Sequence, residues 1–151
     1  MIIKNNAEKS EYSNVWAVAE VLSGRIQPVT NELIGAARLL ADKRSSQVYA
    51  VVIGSGVSEQ AGSLFAFGAD KVIVVDDKRL SGFTDETEAR VMRRLIEKYR
   101  PEIVICAATA RGRALIPRVS VMTNCGLTAD CTGLDIDPEN GDLLQTRPAF
   151  G

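Results

Sequence analysis

Four short runs of apolar, mostly β-branched residues limit what this chain can fold into. They are Val15-Trp-Ala-Val-Ala-Glu-Val21, Gln47-Val-Tyr-Ala-Val-Val-Ile53, Lys71-Val-Ile-Val-Val75 and Glu102-Ile-Val-Ile-Cys106. Strands apolar on both faces belong in a parallel sheet covered on two sides. Helical patterns separate the runs. Thr30 is placed to cap a helix with Leu33, Ala37 and Leu40 on one face. Ser58 is placed to cap a shorter one carrying Ala61, Leu64 and Phe65, closed by Gly68. Thr84 caps a third, with Asp85, Glu86 and Glu88 in its first turns and Met92, Leu95 and Tyr99 as its stripe. Lys98 and Arg100 suit the negative end of that helix, and Pro101 stops it. A fourth runs from about Gly112 to Thr123, with Leu115, Val119 and Met122 on one face. Pro117 is expected near its first turn, where N–H groups lack intrahelical partners.

Strand–helix alternation with short links predicts right-handed crossovers and an α/β domain of three layers, α/β/α. The end of the chain breaks the pattern. Asp130–Asp137 and Leu143–Arg147 flank Pro138-Glu-Asn-Gly141, whose Asn-Gly pair signals a tight turn. That predicts an antiparallel hairpin appended to the parallel sheet. Residues 1–12 read as a flexible leader and 13–151 as one domain, since domains run roughly 100–200 residues.

Composition removes whole classes of function. The chain has no histidine, which excludes Ser-His and Cys-His catalysis and the commonest transition-metal ligand. Its formal net charge of −1 supplies no basic field, so no nucleic-acid partner is expected. Cys106, Cys125 and Cys131 form no CxxC pair. Cys106 reads as a small core residue, and three cysteines suit a reducing compartment. The leader has neither an apolar signal core nor an Arg-rich amphipathic pattern. No apolar run approaches the roughly 20 residues needed to cross a bilayer, so the expected location is cytoplasmic, without membrane insertion.

Three places offer candidate chemistry. Gly54-Ser-Gly56 follows a strand, but Glu59 stands where a dinucleotide fingerprint has its third glycine, and no Walker lysine follows. It reads as a strand-to-helix turn, with NAD and P-loop phosphate binding disfavoured. The loop Thr109-Ala-Arg-Gly-Arg-Ala-Leu-Ile-Pro-Arg118 leaves the fourth strand at the sheet edge where ligands of open α/β folds sit. Thr109, Arg111, Gly112, Arg113 and Arg118 are therefore candidates for an anion site or a subunit contact. Arginines at a helix N-terminus oppose its dipole and require a partner, either an anion or a carboxylate, which can belong to another chain. Glu20, Asp76 and Asp77 end strands on the same edge and read as solvated loop acids. No acid–base pair defines a catalytic residue and no cluster defines a metal site, so the chain is not expected to be an enzyme.

The chain resembles the electron-transfer flavoprotein alpha-subunit family. The resemblance rests on Val15-Trp-Ala-Val-Ala-Glu20, Gly68-Ala-Asp-Lys-Val72, Pro101-Glu-Ile-Val104, and Thr109 with Gly112, Arg113, Leu115, Pro117 and Arg118. It is most specific at Gly126-Leu-Thr-Ala-Asp130 through Gly133-Leu134 and at Gln145-Thr-Arg-Pro148. The chain departs from the family at Ala114, where an acidic residue often stands, and at Asn124-Cys125. The resemblance implies a Rossmann-like, adenine-nucleotide-hydrolase-like fold in the amino-terminal domain of the alpha subunit. It implies that the domain continues in further strands past Gly151, and that the FAD-binding domain follows. It implies a beta-subunit partner that binds an adenine nucleotide or a second FAD. The parent would take electrons from dehydrogenases onto FAD and pass them to a quinone oxidoreductase or another acceptor. On this reading the present stretch holds no cofactor, acts as scaffold and subunit contact, and tends to self-associate where its sheet lacks a neighbour. Two other readings compete. One is a small adenine-nucleotide-binding module of universal-stress type, which needs a glycine-rich loop after the fourth strand where this chain has only Gly112. The other is an enzyme acting on an anionic metabolite through Arg111, Arg113 and Arg118, for which no general base is visible.

Overall fold

Val15–Val18 (β1) is buried at every position, as a strand covered on both faces must be. The computed structural model describes residues 11–148. β1 lies at the centre of a four-stranded parallel sheet. It pairs with Val48–Gly54 (β4) on one side and with Ile103–Ile105 (β6) on the other. Lys71–Asp76 (β5) pairs with the far side of β4, giving the order β5-β4-β1-β6. All four strands coincide with the expected apolar runs.

Side chains alternate between two cores. Val15 and Ala17 of β1 face a layer formed by Val29–Lys43 (α1) and by the short α2, Ser58–Ala61, which runs on as a 3-10 helix over Gly62–Phe67. Trp16 and Val18 face Asp85–Tyr99 (α3) and Ala110–Thr123 (α4). This is the expected three-layer α/β/α arrangement. Trp16 is fully buried, stacked on Tyr49 at 6.5 Å and edge-on to Tyr99 at 6.2 Å.

Local details depart from expectation for identifiable reasons. The first apolar run does not continue to Val21. After Val18 the chain makes a small antiparallel hairpin, Val21–Leu22 (β2) with Arg25–Ile26 (β3), turning through Ser23 and Gly24 at φ +50° and +71°. Two adjacent positive φ values mark the turn type that matches the twist of a two-residue hairpin. Thr30 does not cap α1. It lies inside the helix, fully buried, and its hydroxyl accepts from the Glu20 amide at 3.1 Å. The buried face of α1 is Thr30, Ile34, Ala37, Leu40 and Ala41, with Leu33 at its margin. Val57, not Ser58, occupies the N-cap position of α2. Gly68 closes that segment at φ +109°, as expected, but Phe65 points outward. Thr84 is the N-cap of α3 without a side-chain capping bond, and Arg100 ends the helix in the left-handed region. The stripe of α3 is Glu88, Ala89, Met92 and Ile96, while Tyr99 is exposed. Pro117 lies in the interior of α4, so its ring removes the bond that a residue 117 amide would give to the Arg113 carbonyl.

The hairpin forms from Gly133–Ile136 (β7) and Leu143–Thr146 (β8), but as a separate two-stranded sheet. It is attached to α1, not to the strands. Ile136 enters the α1-side core, Lys43 pairs with Asp135 at 2.5 Å, and Arg44 donates to the Gly141 carbonyl and to Glu102. Residues 1–10 of the expected leader lie outside the described residues, while Glu11 pairs with Arg100. No helix among the described residues is long and apolar enough to cross a membrane.

Candidate functional site at the sheet's carboxyl edge

The strand order reverses between β1 and β6, so the loops leaving those two strands flank the crevice where open α/β folds bind ligands. In this chain that crevice is crossed by the protein's own side chains. Thr109 caps α4 by accepting from the Gly112 amide at 3.2 Å, and its hydroxyl donates to Glu20 Oε2 at 2.7 Å. The loop after β6 is thereby tied to the loop after β1. Arg111, one residue into α4, donates to the Val21 carbonyl and to Glu88 of α3. Phe83 lies over its guanidinium at 4.6 Å. The arginine that opposes the α4 dipole therefore finds its partner inside the same chain. Glu88 is almost completely buried, and that burial raises its pKa, with the Arg111 pair acting in the opposite direction.

Gly112 sets how closely α4 approaches β6. A Cβ there would lie 3.1 Å from the Ala107 carbonyl carbon and 3.2 Å from Cys106 Sγ, with the Ala107 oxygen closer still. Only glycine fits. Cys106, at the end of β6, packs against the α3/α4 core, as expected. Burial, reinforced by the charge of Glu20, pushes its thiol up to about 12. It stays protonated and poorly nucleophilic at neutral pH.

The remaining arginines of the loop sit on the surface. Arg113 pairs with Asp130 at 3.0 Å, both more than half exposed. Arg118 pairs with Asp85, the first residue of α3, at 2.8 Å. Thr109, Arg111 and Gly112 thus come together at the crevice, while Arg113 and Arg118 diverge from it.

The Gly54-Ser-Gly56 turn shows a second self-filled position. Asp76, paired in register with Gly54 across the β4–β5 ladder, points its carboxylate into the turn. Oδ1 accepts from the Gly56 amide at 2.7 Å, and Oδ2 from the Val57 and Ser58 amides at 2.9 Å and the Ser58 hydroxyl at 2.6 Å. The Ser58 hydroxyl first, then these amides, hold the Asp76 carboxyl below the usual carboxylate range. Successive amides converging on one point make a concavity for an anion. Here a carboxylate from the neighbouring strand fills it, and an incoming phosphate would meet like charge. Asp77 turns the other way, capping the 3-10 helix Lys78–Leu80 and pairing with Arg79 at 2.7 Å. At these two positions the described residues do not fit the pyrophosphate of a dinucleotide such as FAD.

Glu20, Asp76 and Asp77 read from the sequence as solvated loop acids, and each instead makes a structural hydrogen bond; Glu88, read only as an acid of the first turns of α3, is buried. A signal for Glu88 was present. It stands at i, i+4 and i+8 with Met92 and Ile96, in register with the buried stripe. Among the described residues no three of Cys, Asp or Glu gather as metal ligands.

The electron transfer flavoprotein domain model matches residues 15–151. The chain is 49% identical over 142 residues to an electron transfer flavoprotein subunit alpha from Thermoanaerobacterium thermosaccharolyticum, covering 94% of this chain and 43% of the relative. A subunit alpha from Clostridium acetobutylicum is 43% identical, with 95% of this chain and 43% of the relative covered. Subunit LctC of a lactate dehydrogenase (NAD(+),ferredoxin) from Acetobacterium woodii is 44% identical, with 95% and 34% covered. The chain thus spans well under half the length of these curated relatives. With a domain model matched from residue 15 to 151 and alpha subunits aligned along nearly all of it, the chain belongs to the electron transfer flavoprotein family.

Proposed function

We propose that this chain is the scaffold and beta-subunit contact domain of an electron-transfer flavoprotein. That protein takes electrons from dehydrogenases onto FAD and passes them to a quinone oxidoreductase or another acceptor in the cytoplasm. The observation that carries this reading is the self-filled carboxyl edge. Glu20–Thr109 and Val21–Arg111–Glu88 cross the switch-point crevice, and Asp76 occupies the anion concavity. A domain so filled has no seat for a flavin there, and no redox step is assigned to its residues. The flavin belongs elsewhere in the intact protein, with an adenine nucleotide or a second FAD on the beta subunit. The chain's contribution is shape and contact surface. Arg113 and Arg118 stand out from α4 with exposed partners, so they can exchange Asp130 and Asp85 for acids of a beta subunit. Thr109 and Gly112 hold the loop that presents them.

The test has two arms. The purified chain should be colourless, without flavin absorbance, and should give no heat with FAD, AMP or NADH by calorimetry. With a beta subunit of a relative it should form a complex, weakened by the double reversal Arg113→Glu/Arg118→Glu. Stoichiometric flavin in the purified chain, or a complex indifferent to both arginines, would overturn the reading.

A further inference from the structure

On the outer side of the sheet, away from the crevice, α3 overhangs the edge strand β5 and leaves a cavity of about 560 Å³. It is lined by Val75 and Asp77 from the end of β5, by Arg79 and Leu80 from the following turn, and by one face of α3. That face is Thr87, Arg90, Val91, Arg94 and Leu95, the i, i+3, i+4, i+7, i+8 positions of a single helical stripe. Val75, Leu80, Val91 and Leu95 give it an apolar floor, and three guanidiniums stand at its margin.

The charges are unbalanced in an informative way. Asp77, the sole lining acid, is held by the amide and guanidinium of Arg79. Arg90 has Glu86 four residues earlier at 2.6 Å, and Arg93, outside the cavity, has Glu97 at 2.7 Å. Arg94 has no ion pair or hydrogen bond among the described residues. Arg90 and Lys98, four residues to either side, share its sign, and Glu97, three residues on, is held by Arg93. Like charges at i, i+4 destabilise a helix, a cost that a bound anion removes. The volume falls in the range of small-molecule sites, roughly 300–1,000 Å³, which are mostly apolar with a few placed polar groups.

We infer that this cavity between β5 and α3 binds a small amphipathic anion, its apolar body on Val75, Leu80, Val91 and Leu95 and its carboxylate or phosphate head on Arg94 and Arg90. It shares no lining residue with the Thr109–Arg118 loop. The site can therefore fail without touching the scaffold reading, and the reverse holds too.

The test uses the full chain with methyl-labelled Val, Leu and Ile, titrated with octanoate and with hexyl phosphate, which separates the two head groups. Octanol and inorganic phosphate are the controls for body and head alone. Saturable shifts are expected at Val75, Leu80, Val91 and Leu95 with one or both amphiphiles and with neither control. Arg94→Gln should weaken that binding about tenfold, the size of one lost charge-assisted hydrogen bond. Arg93→Gln, on the same helix outside the cavity, should leave it unchanged. Both replacements are at exposed positions, and an unshifted methyl spectrum without ligand verifies the fold. No saturable shift at these methyls with either amphiphile overturns the inference. So does binding that Arg94→Gln leaves intact, or that inorganic phosphate or octanol reproduces.

Discussion

Arg111 and Glu88 form an ion pair between the first turn of α4 and the buried stripe of α3, with Phe83 closing over the guanidinium. Removing one partner of a buried pair strands the other charge. Arg111→Met should therefore cost about 3 kcal/mol at pH 7 by chemical denaturation. Glu88 already has a folded pKa above its ordinary 4.5. A raised acid binds its proton more tightly folded than unfolded, so its contribution is greatest at low pH and fades as pH rises through the folded value. The deficit of Arg111→Met should accordingly shrink between pH 8 and pH 5. The double replacement Arg111→Met/Glu88→Gln should recover part of it. A pH-independent deficit would mean that Glu88 stays charged without its partner.

Two helical glycines should respond to alanine with opposite signs. Gly112→Ala drives a Cβ into the Ala107 carbonyl, and backbone cannot yield there, so a loss of at least about 3 kcal/mol is expected. Gly35, in α1, has nothing within 4 Å of its Cβ position, so Gly35→Ala should stabilise by about 0.5–1 kcal/mol. Thermal melts of the two variants decide it.

Asp76 should govern part of the acid sensitivity. Its folded pKa lies below the ordinary 3.8. The unfolded chain therefore takes up the proton first as pH falls, and the stabilisation present above 3.8 is lost on the way down to the folded value. Asp76→Asn should lower the melting temperature at pH 6 and flatten its decline between pH 5 and pH 3. A parallel decline in both proteins would remove Asp76 from the account.

Thr30→Val keeps shape and deletes the acceptor of the Glu20 amide. A buried donor left unsatisfied costs about 1–3 kcal/mol. Thr30→Ser should keep the bond and most of the stability.

The sequence carried the sheet because β1, β4, β5 and β6 are each apolar on both faces, a pattern with few alternative homes. It carried α3 for the same kind of reason, through its acidic start and Pro101. It did not carry the roles of Asp76, Glu20 or Thr30. Each acts through a partner 10 to 89 residues away, and polar residues near strand ends look alike until the register brings them together. The β2–β3 hairpin was hidden because Ser23-Gly24 interrupts what looks like one continuous run. Pro117 was misplaced because α4 starts earlier than its apolar stripe, at Ala110, and Arg111 supplies no periodic signal.

The position of β1 has a consequence for how the chain is made. Val15–Val18 is made before the other three strands of the sheet, yet it lies in the middle of the finished sheet, with one neighbour at residues 48–51 and the other at 103–105. Until the second neighbour has been synthesised, Trp16 and its flanking valines have an open flank, and a parallel partner cannot be supplied by a local turn. The chain must be made as far as residue 105 before the central strand can be sealed. Between the making of β1 and of β6, that open flank is an exposed apolar strand edge of the kind that chaperones exist to shield.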